Sequence, residues 1–140
     1  MASVYYIGDS TVTFNKITTY PQQGMSNALP LFLKEGVTMH PHGHNGRSTK
    51  SFLDEGLFEP VKAGMKAGDF LLIQFGHNDA GAINTGKARA ELPGAGYESK
   101  VFKMEKTGMY QVIYTFGWYL RKFIMDAKEK GAIPIVLSHT

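Results

Sequence analysis

Three short blocks hold the residues of this chain best suited to chemistry: Gly8-Asp9-Ser10-Thr11, Asn45-Gly46-Arg47-Ser48 and Gly76-His77-Asn78-Asp79. A serine hydroxyl becomes a nucleophile once a base takes its proton. Backbone N–H groups and an asparagine amide are neutral donors that hold a developing oxyanion. Ser10 is therefore the candidate nucleophile. The N–H groups of Ser10 and Gly46, with the Asn78 side-chain amide, are the candidate oxyanion hole, which ester cleavage needs for its tetrahedral intermediate. Each block alone is an ordinary turn sequence. Three in this order, each directly after an apolar run, carry more weight. The part not supplied by the blocks is the proton acceptor, for which serine hydrolases use a histidine oriented by an acid.

The elements ahead of the blocks must bring them together. Residues 4–7 are apolar, β-branched or aromatic and end at Gly8, which reads as a buried parallel strand. Residues 20–36 read as a helical segment divided by Pro30 and stopped by Gly36. Residues 37–39 form a second, weaker strand. Between residues 51 and 66, Phe52, Leu53, Leu57, Phe58, Val61 and Met65 recur at helical spacing, interrupted near Glu59-Pro60. Residues 70–75 are the strongest strand, apolar nearly throughout, with both faces expected under helices. Residues 80–107 are glycine-rich and aperiodic, and read as a long functional loop. Residues 110–130 read as one amphipathic helix with Ile113, Phe116, Gly117, Leu120, Ile124 and Ala127 on a face, and residues 133–138 as a fourth strand. The alternation predicts an α/β fold with a parallel sheet and right-handed crossovers. Ligands of such sheets bind beyond the carboxyl ends of the strands. Ser10, Gly46 and Asn78 each follow one of the first three strands, so topology alone makes them converge.

A chain of 140 residues reads as one domain over residues 1–140. The net charge of +3 is spread over scattered lysines without a basic arm, which argues against nucleic acid as a partner. There is no cysteine, hence no disulfide or thiolate metal site. No apolar run approaches the roughly 20 residues of a membrane-spanning helix, and no signal peptide is recognisable, so the chain as written reads as cytoplasmic and membrane-free.

The strings Gly8-Asp9-Ser10-Thr11-Val12, Asn45-Gly46-Arg47-Ser48-Thr49-Lys50-Ser51-Phe52 and Phe75-Gly76-His77-Asn78-Asp79 resemble those of the SGNH (GDSL) hydrolases and, more narrowly, of rhamnogalacturonan acetylesterases. Tyr114-Thr115-Phe116-Gly117-Trp118-Tyr119-Leu120-Arg121 resembles bacterial members of that group. The resemblance spans essentially the whole chain. It implies a three-layer α/β/α, flavodoxin-like fold, here truncated after the fourth strand. It implies a serine esterase that removes acetyl groups from pectin (rhamnogalacturonan) or a related polysaccharide, with no metal or organic cofactor. It assigns Ser10 as nucleophile and Gly46 and Asn78 as oxyanion donors, and makes His77 structural or substrate-facing. The Asp-x-x-His block of complete members has no counterpart, so the chain alone is expected to be inactive. The alternative is a non-catalytic remnant that binds carbohydrate or a partner through the same cleft. An exposed sheet edge favours homo-oligomers.

Other residues admit two readings. His77 and His139 are weaker candidates for the base. His40, His42 and His44 alternate as three zinc ligands would, but Pro41 and Gly43 disfavour a regular strand, and a solvated loop is the preferred reading. Asp9 caps or orients the first turn, and Asp79 bonds the first block or caps the next loop. Arg47 meets a galacturonate carboxylate or forms a surface ion pair. Tyr110, Tyr114, Trp118 and Tyr119 read as packing residues. The loop with Arg89 and Tyr97 is the better candidate for carbohydrate contact.

Overall fold

The computed structural model describes residues 2–16 and 21–138. In chain order its elements are β1 (Ser3–Gly8), α1 (Met25–Ala28) continued by a 3-10 turn (Leu29–Phe32), β2 (Thr38–Gly43), α2 (Thr49–Asp54), α3 (Glu59–Gly64), β3 (Phe70–Gln74), β4 (Ser99–Lys103), β5 (Tyr110–Tyr114), α4 (Phe116–Glu129) and β6 (Ile133–Val136). Four strands form a parallel sheet of order β2-β1-β3-β6, and β4 and β5 form a separate antiparallel hairpin. This is the expected α/β class with a parallel sheet. The chain reverses its direction of travel across the sheet between β1 and β3, and the crevice at their carboxyl ends is where such folds bind ligands.

Alternation along the strands builds the core. Tyr5 and Ile7 of β1 and Leu71 and Ile73 of β3 point to one face. Phe52 of α2, Val61 of α3 and Phe123 of α4 cover that face. Phe123 is fully buried, with its ring 4.8 Å from that of Phe58, 5.8 Å from Phe75 and 6.1 Å from Phe52. On the other face Val4 and Tyr6 are buried, and the Tyr6 hydroxyl donates to Gln74 Oε1 at 2.5 Å. Cover thins toward β6, where Ile133, Ile135 and Val136 are 47%, 39% and 46% exposed.

Four expectations need correction. The helix expected over residues 20–36 shrinks to α1 and the 3-10 turn, because Pro30 enters at the first turn of the latter and residues 21–24 are not helical. The second strand does not stop at Met39; it continues through His40-Pro41-His42-Gly43. Proline is tolerated there because β2 is the outer strand and its missing N–H is needed only where a neighbour pairs. The long loop is broken by β4, and the helix expected from residue 110 begins only at Phe116. Tyr110-Gln111-Val112-Ile113-Tyr114 is β-branched and aromatic, and Gly108 at φ +71° turns the chain so that it pairs with β4. Thr115 then starts the helix by accepting from Trp118 N–H at 3.1 Å. The buried helix face accordingly carries Gly117, Tyr119, Phe123, Asp126 and Ala127, and Tyr110 is 71% exposed.

Candidate active site

The first block is shaped by close approach. A side chain at Gly8 would drive its Cβ into the Gln74 carbonyl oxygen and Val12 Cγ2. The chain turns directly after it. Asp9, buried, accepts from the Thr11 N–H at 3.0 Å and the Thr11 hydroxyl at 2.8 Å, and its carbonyl accepts from Val12 N–H at 3.0 Å. Asp9 thus orients the turn that carries Ser10. Ser10 is partly exposed, and among the described residues none hydrogen-bonds its hydroxyl.

The second block is tied to the first. His44 N–H donates to the Gly8 carbonyl at 3.0 Å, extending the β1–β2 ladder by one bond, and the Thr13 hydroxyl donates to Asn45 Oδ1 at 2.8 Å. Gly46 adopts φ +75°, a conformation that costs glycine little. Ser48 then caps α2, accepting from Ser51 N–H at 3.0 Å while Ser51 Oγ accepts from Ser48 N–H at 2.8 Å. Arg47 is held by Glu55, Nη2 to Oε1 at 2.9 Å, and by the Asn45 carbonyl at 2.9 Å.

The third block closes onto the second. Asn78 is buried and its Nδ2 donates to the Arg47 carbonyl at 3.0 Å. The Asp79 side chain bonds the helix that follows the second block rather than the first block: Oδ1 accepts from Thr49 N–H at 2.8 Å and from the Thr49 hydroxyl at 2.7 Å. His77 is exposed, with no described hydrogen bond to Ser10. His139 lies outside the described residues.

Beside Asp79 lies a group that sequence reasoning missed. Glu91, 4% exposed, has Oε1 2.9 Å from the Thr49 hydroxyl, which is also 2.7 Å from Asp79 Oδ1. A hydroxyl has one proton to give. The second contact therefore requires a proton on a carboxyl group. Asp79 Oδ2 and Glu91 Oε2 are both buried without another partner. Burial first, then the hydrogen bond and negative charge of Asp79, push the Glu91 carboxyl up to about 11. Glu91 is thus a neutral acid at pH 7 that links β3's following loop to α2. Its sequence setting, Ala90-Glu91-Leu92-Pro93, carries no motif that marks it.

His40 and His42 of β2, and His44 just after it, are half-buried against aromatic rings. The rings of His40 and His42 stack on Tyr5 at 4.5 Å and 6.0 Å, and His44 meets Phe52 edge-on at 5.8 Å. Among the described residues no group of His, Asp and Glu is arranged to hold a metal ion. No helix among them is long and apolar enough to cross a membrane. Tyr114 and Trp118 stack at 3.9 Å, as packing residues do, while Tyr97 is 80% exposed with the Arg121 guanidinium 4.2 Å above its ring.

No protein-family model matches the chain. Curated relatives do. The chain is 34% identical over 140 residues to a rhamnogalacturonan acetylesterase of Emericella nidulans, covering 99% of this chain and 52% of that protein. It is 32% identical over 135 residues to rhamnogalacturonan acetylesterase RhgT of Bacillus subtilis, covering 96% of this chain and 47% of RhgT. The chain spans about half the length of these curated relatives. The crystal structure of the Bacillus subtilis protein YxiM matches with a TM-score of 0.71 at 20% identity, over 98% of this chain and 32% of that one, which shows the fold. With its blocks hydrogen-bonded at one edge of the sheet, the chain aligns over nearly its whole length with about half of two proteins named rhamnogalacturonan acetylesterase, at 32–34% identity.

Proposed function

We propose that this chain carries the nucleophile and oxyanion half of an SGNH-type carbohydrate acetylesterase acting on acetylated pectin or a related polysaccharide. The observation that carries the reading is the hydrogen-bonded junction of the blocks: His44, directly before the second block, donates its N–H to the Gly8 carbonyl of the first, and Asn78 Nδ2 on the Arg47 carbonyl joins the third to the second. Ser10 Oγ attacks the acetyl carbonyl. The Ser10 and Gly46 N–H groups and the second N–H of the Asn78 amide receive the oxyanion, and one such donor is worth roughly 3–4 kcal/mol in a comparable site. The sugar leaves, and water attack on the acyl-serine releases acetate. None of these residues takes the proton from Ser10. A His–Asp pair outside this sequence fills that role, and the chain alone turns over little or no substrate. The parts present, with binding, give at most about 10³–10⁴-fold over water.

Acetate release from acetylated rhamnogalacturonan by the 140-residue chain and by Ser10→Ala tests this. Little or no release from either 140-residue protein, and release rising by orders of magnitude in a form extended by an Asp-x-x-His segment, are expected. Release from the extended form that Ser10→Ala leaves undiminished would overturn the assignment of Ser10. The exposed β6 edge supports self-association, which sedimentation velocity reads directly. A monomer at all concentrations would reject that part.

A further inference from the structure

A cavity of about 350 Å³ opens beside Gly46, lined among others by Arg47, Glu55, Lys87 and Arg89. Its charges are unequal in what they have left to offer. Arg47 and Glu55 neutralise each other at 2.9 Å. Arg89 spends Nη1 on the Gly46 carbonyl at 3.0 Å, a partner that fixes the guanidinium without cancelling its charge. A guanidinium has five N–H donors, so most of the fork stays available. Lys87 is exposed and has no ion pair among the described residues. Two uncompensated cations therefore face one cavity.

The backbone holds them there. Ala88, between the two, has φ +50°, and among the described residues it is the one non-glycine in the left-handed region. Ala88 N–H closes a turn onto the Thr85 carbonyl at 2.9 Å, and the Arg89 carbonyl accepts from the Ser48 hydroxyl. A strained residue persists where the surroundings over-determine it, and such residues gather at binding sites. The turn, the Ser48 hydroxyl and the Gly46 carbonyl together fix the loop on the second block.

We infer that Arg89 and Lys87 form a carboxylate-binding subsite that takes a uronic-acid residue of the polysaccharide while the acetylated sugar lies at Gly46. The planar fork of Arg89 suits a two-oxygen carboxylate, and Lys87 adds a point charge at the rim. Arg47, already neutralised by Glu55, is the scaffold of this subsite. The inference rests on the esterase reading for the polymer's orientation, because Gly46 lines the same cavity.

Binding by NMR titration of tri-galacturonic acid, compared with its uncharged methyl ester, tests it without requiring turnover. The acid is expected to bind about 10-fold or more tighter than the ester, since hydrogen bonds to charged groups exceed neutral ones by about that factor. Arg89→Gln should remove most of this preference. Lys87→Ala, an exposed substitution that cannot disturb packing, should weaken the acid about 2–5-fold, the range of an exposed ion pair. Lys128→Ala, an exposed lysine at the carboxyl end of α4 outside the cavity lining, should leave the affinity unchanged. Equal affinity for acid and ester, loss in Lys128→Ala as large as in Lys87→Ala, or no binding of either sugar would each overturn the subsite. Binding preserved in Ser10→Ala together with absent acetate release in the extended form would sink the esterase reading and leave the subsite standing. Ser10-dependent release that ignores the carboxylate would do the reverse.

Discussion

Replacing Glu91 by glutamine should flatten the pH dependence of stability of this protein. Glu91 is held neutral by burial and by Asp79, and its carboxyl titrates at about 11 rather than the ordinary 4.5. Folded Glu91 keeps its proton through neutral pH, whereas unfolded Glu91 loses it above 4.5. The folded state therefore binds one more proton than the unfolded state between these values. Its contribution is complete below pH 4.5 and drains away as pH rises toward 11. One proton corresponds to about 1.4 kcal/mol per pH unit, so from pH 5.5 to 8.5 this group alone removes about 4 kcal/mol. That is a large share of the roughly 5–15 kcal/mol that holds a domain together. In the Glu91→Gln variant the amide supplies an N–H toward Asp79 at every pH and has no proton to lose. Among the described residues, the groups that act on the pair include Lys50, whose Nζ lies 3.2 Å from Asp54, and the phenol of Tyr119, which burial raises. Urea unfolding followed by circular dichroism at half-unit steps should show the parent falling steeply and Glu91→Gln nearly level on this account. Parallel curves for the two proteins would refute the shared proton. Asp79→Asn should flatten the profile only in part, because it removes the Asp79 charge but leaves burial, the larger cause of the raised Glu91 carboxyl.

Three further outcomes follow from packing and charge. Phe123→Ala should cost about 3–5 kcal/mol by opening a cavity among Phe52, Phe58 and Phe75, read as a shift in the urea midpoint; a loss below about 1 kcal/mol would deny the helix–sheet core. Gly8→Ala should destabilise by about 1–3 kcal/mol or more, because its methyl would collide with the Gln74 carbonyl oxygen, and an unchanged midpoint would contradict that contact. The His42 imidazole should titrate below 6.5 by NMR, held down by burial and then by His40 and His44. Since the unfolded histidine protonates first, this group subtracts stability as pH falls from 6.5 through its folded value, and a midpoint at or above 6.5 would count against the packed histidine strand.

The amino-acid order by itself determined the class of fold and the place of the blocks. Apolar runs at residues 4–7, 70–75 and 133–138, each short and bounded by turn residues, read as strands, and block residues directly after the first two fall at the carboxyl edge. These signals are local, and the period of side-chain burial reads them. Tertiary context decided the rest. Residues 110–114 have apolar spacing that serves a helix or a strand, and the pairing with residues 99–103 chose the strand. Pro41 and Gly43 argued against a strand until the position of β2 at the sheet's edge removed the penalty. Glu91 was an unremarkable letter in a polar loop, and Arg89 stood out there only as a candidate for carbohydrate contact. Glu91 acquired its proton only by being buried 42 positions away in sequence from the Thr49 it contacts, and Arg89 its place only by reaching Gly46, 43 positions away. Such partners depend on long-range closure and burial, which change the charge a carboxyl can bear and the direction a guanidinium can face, and no local pattern encodes either.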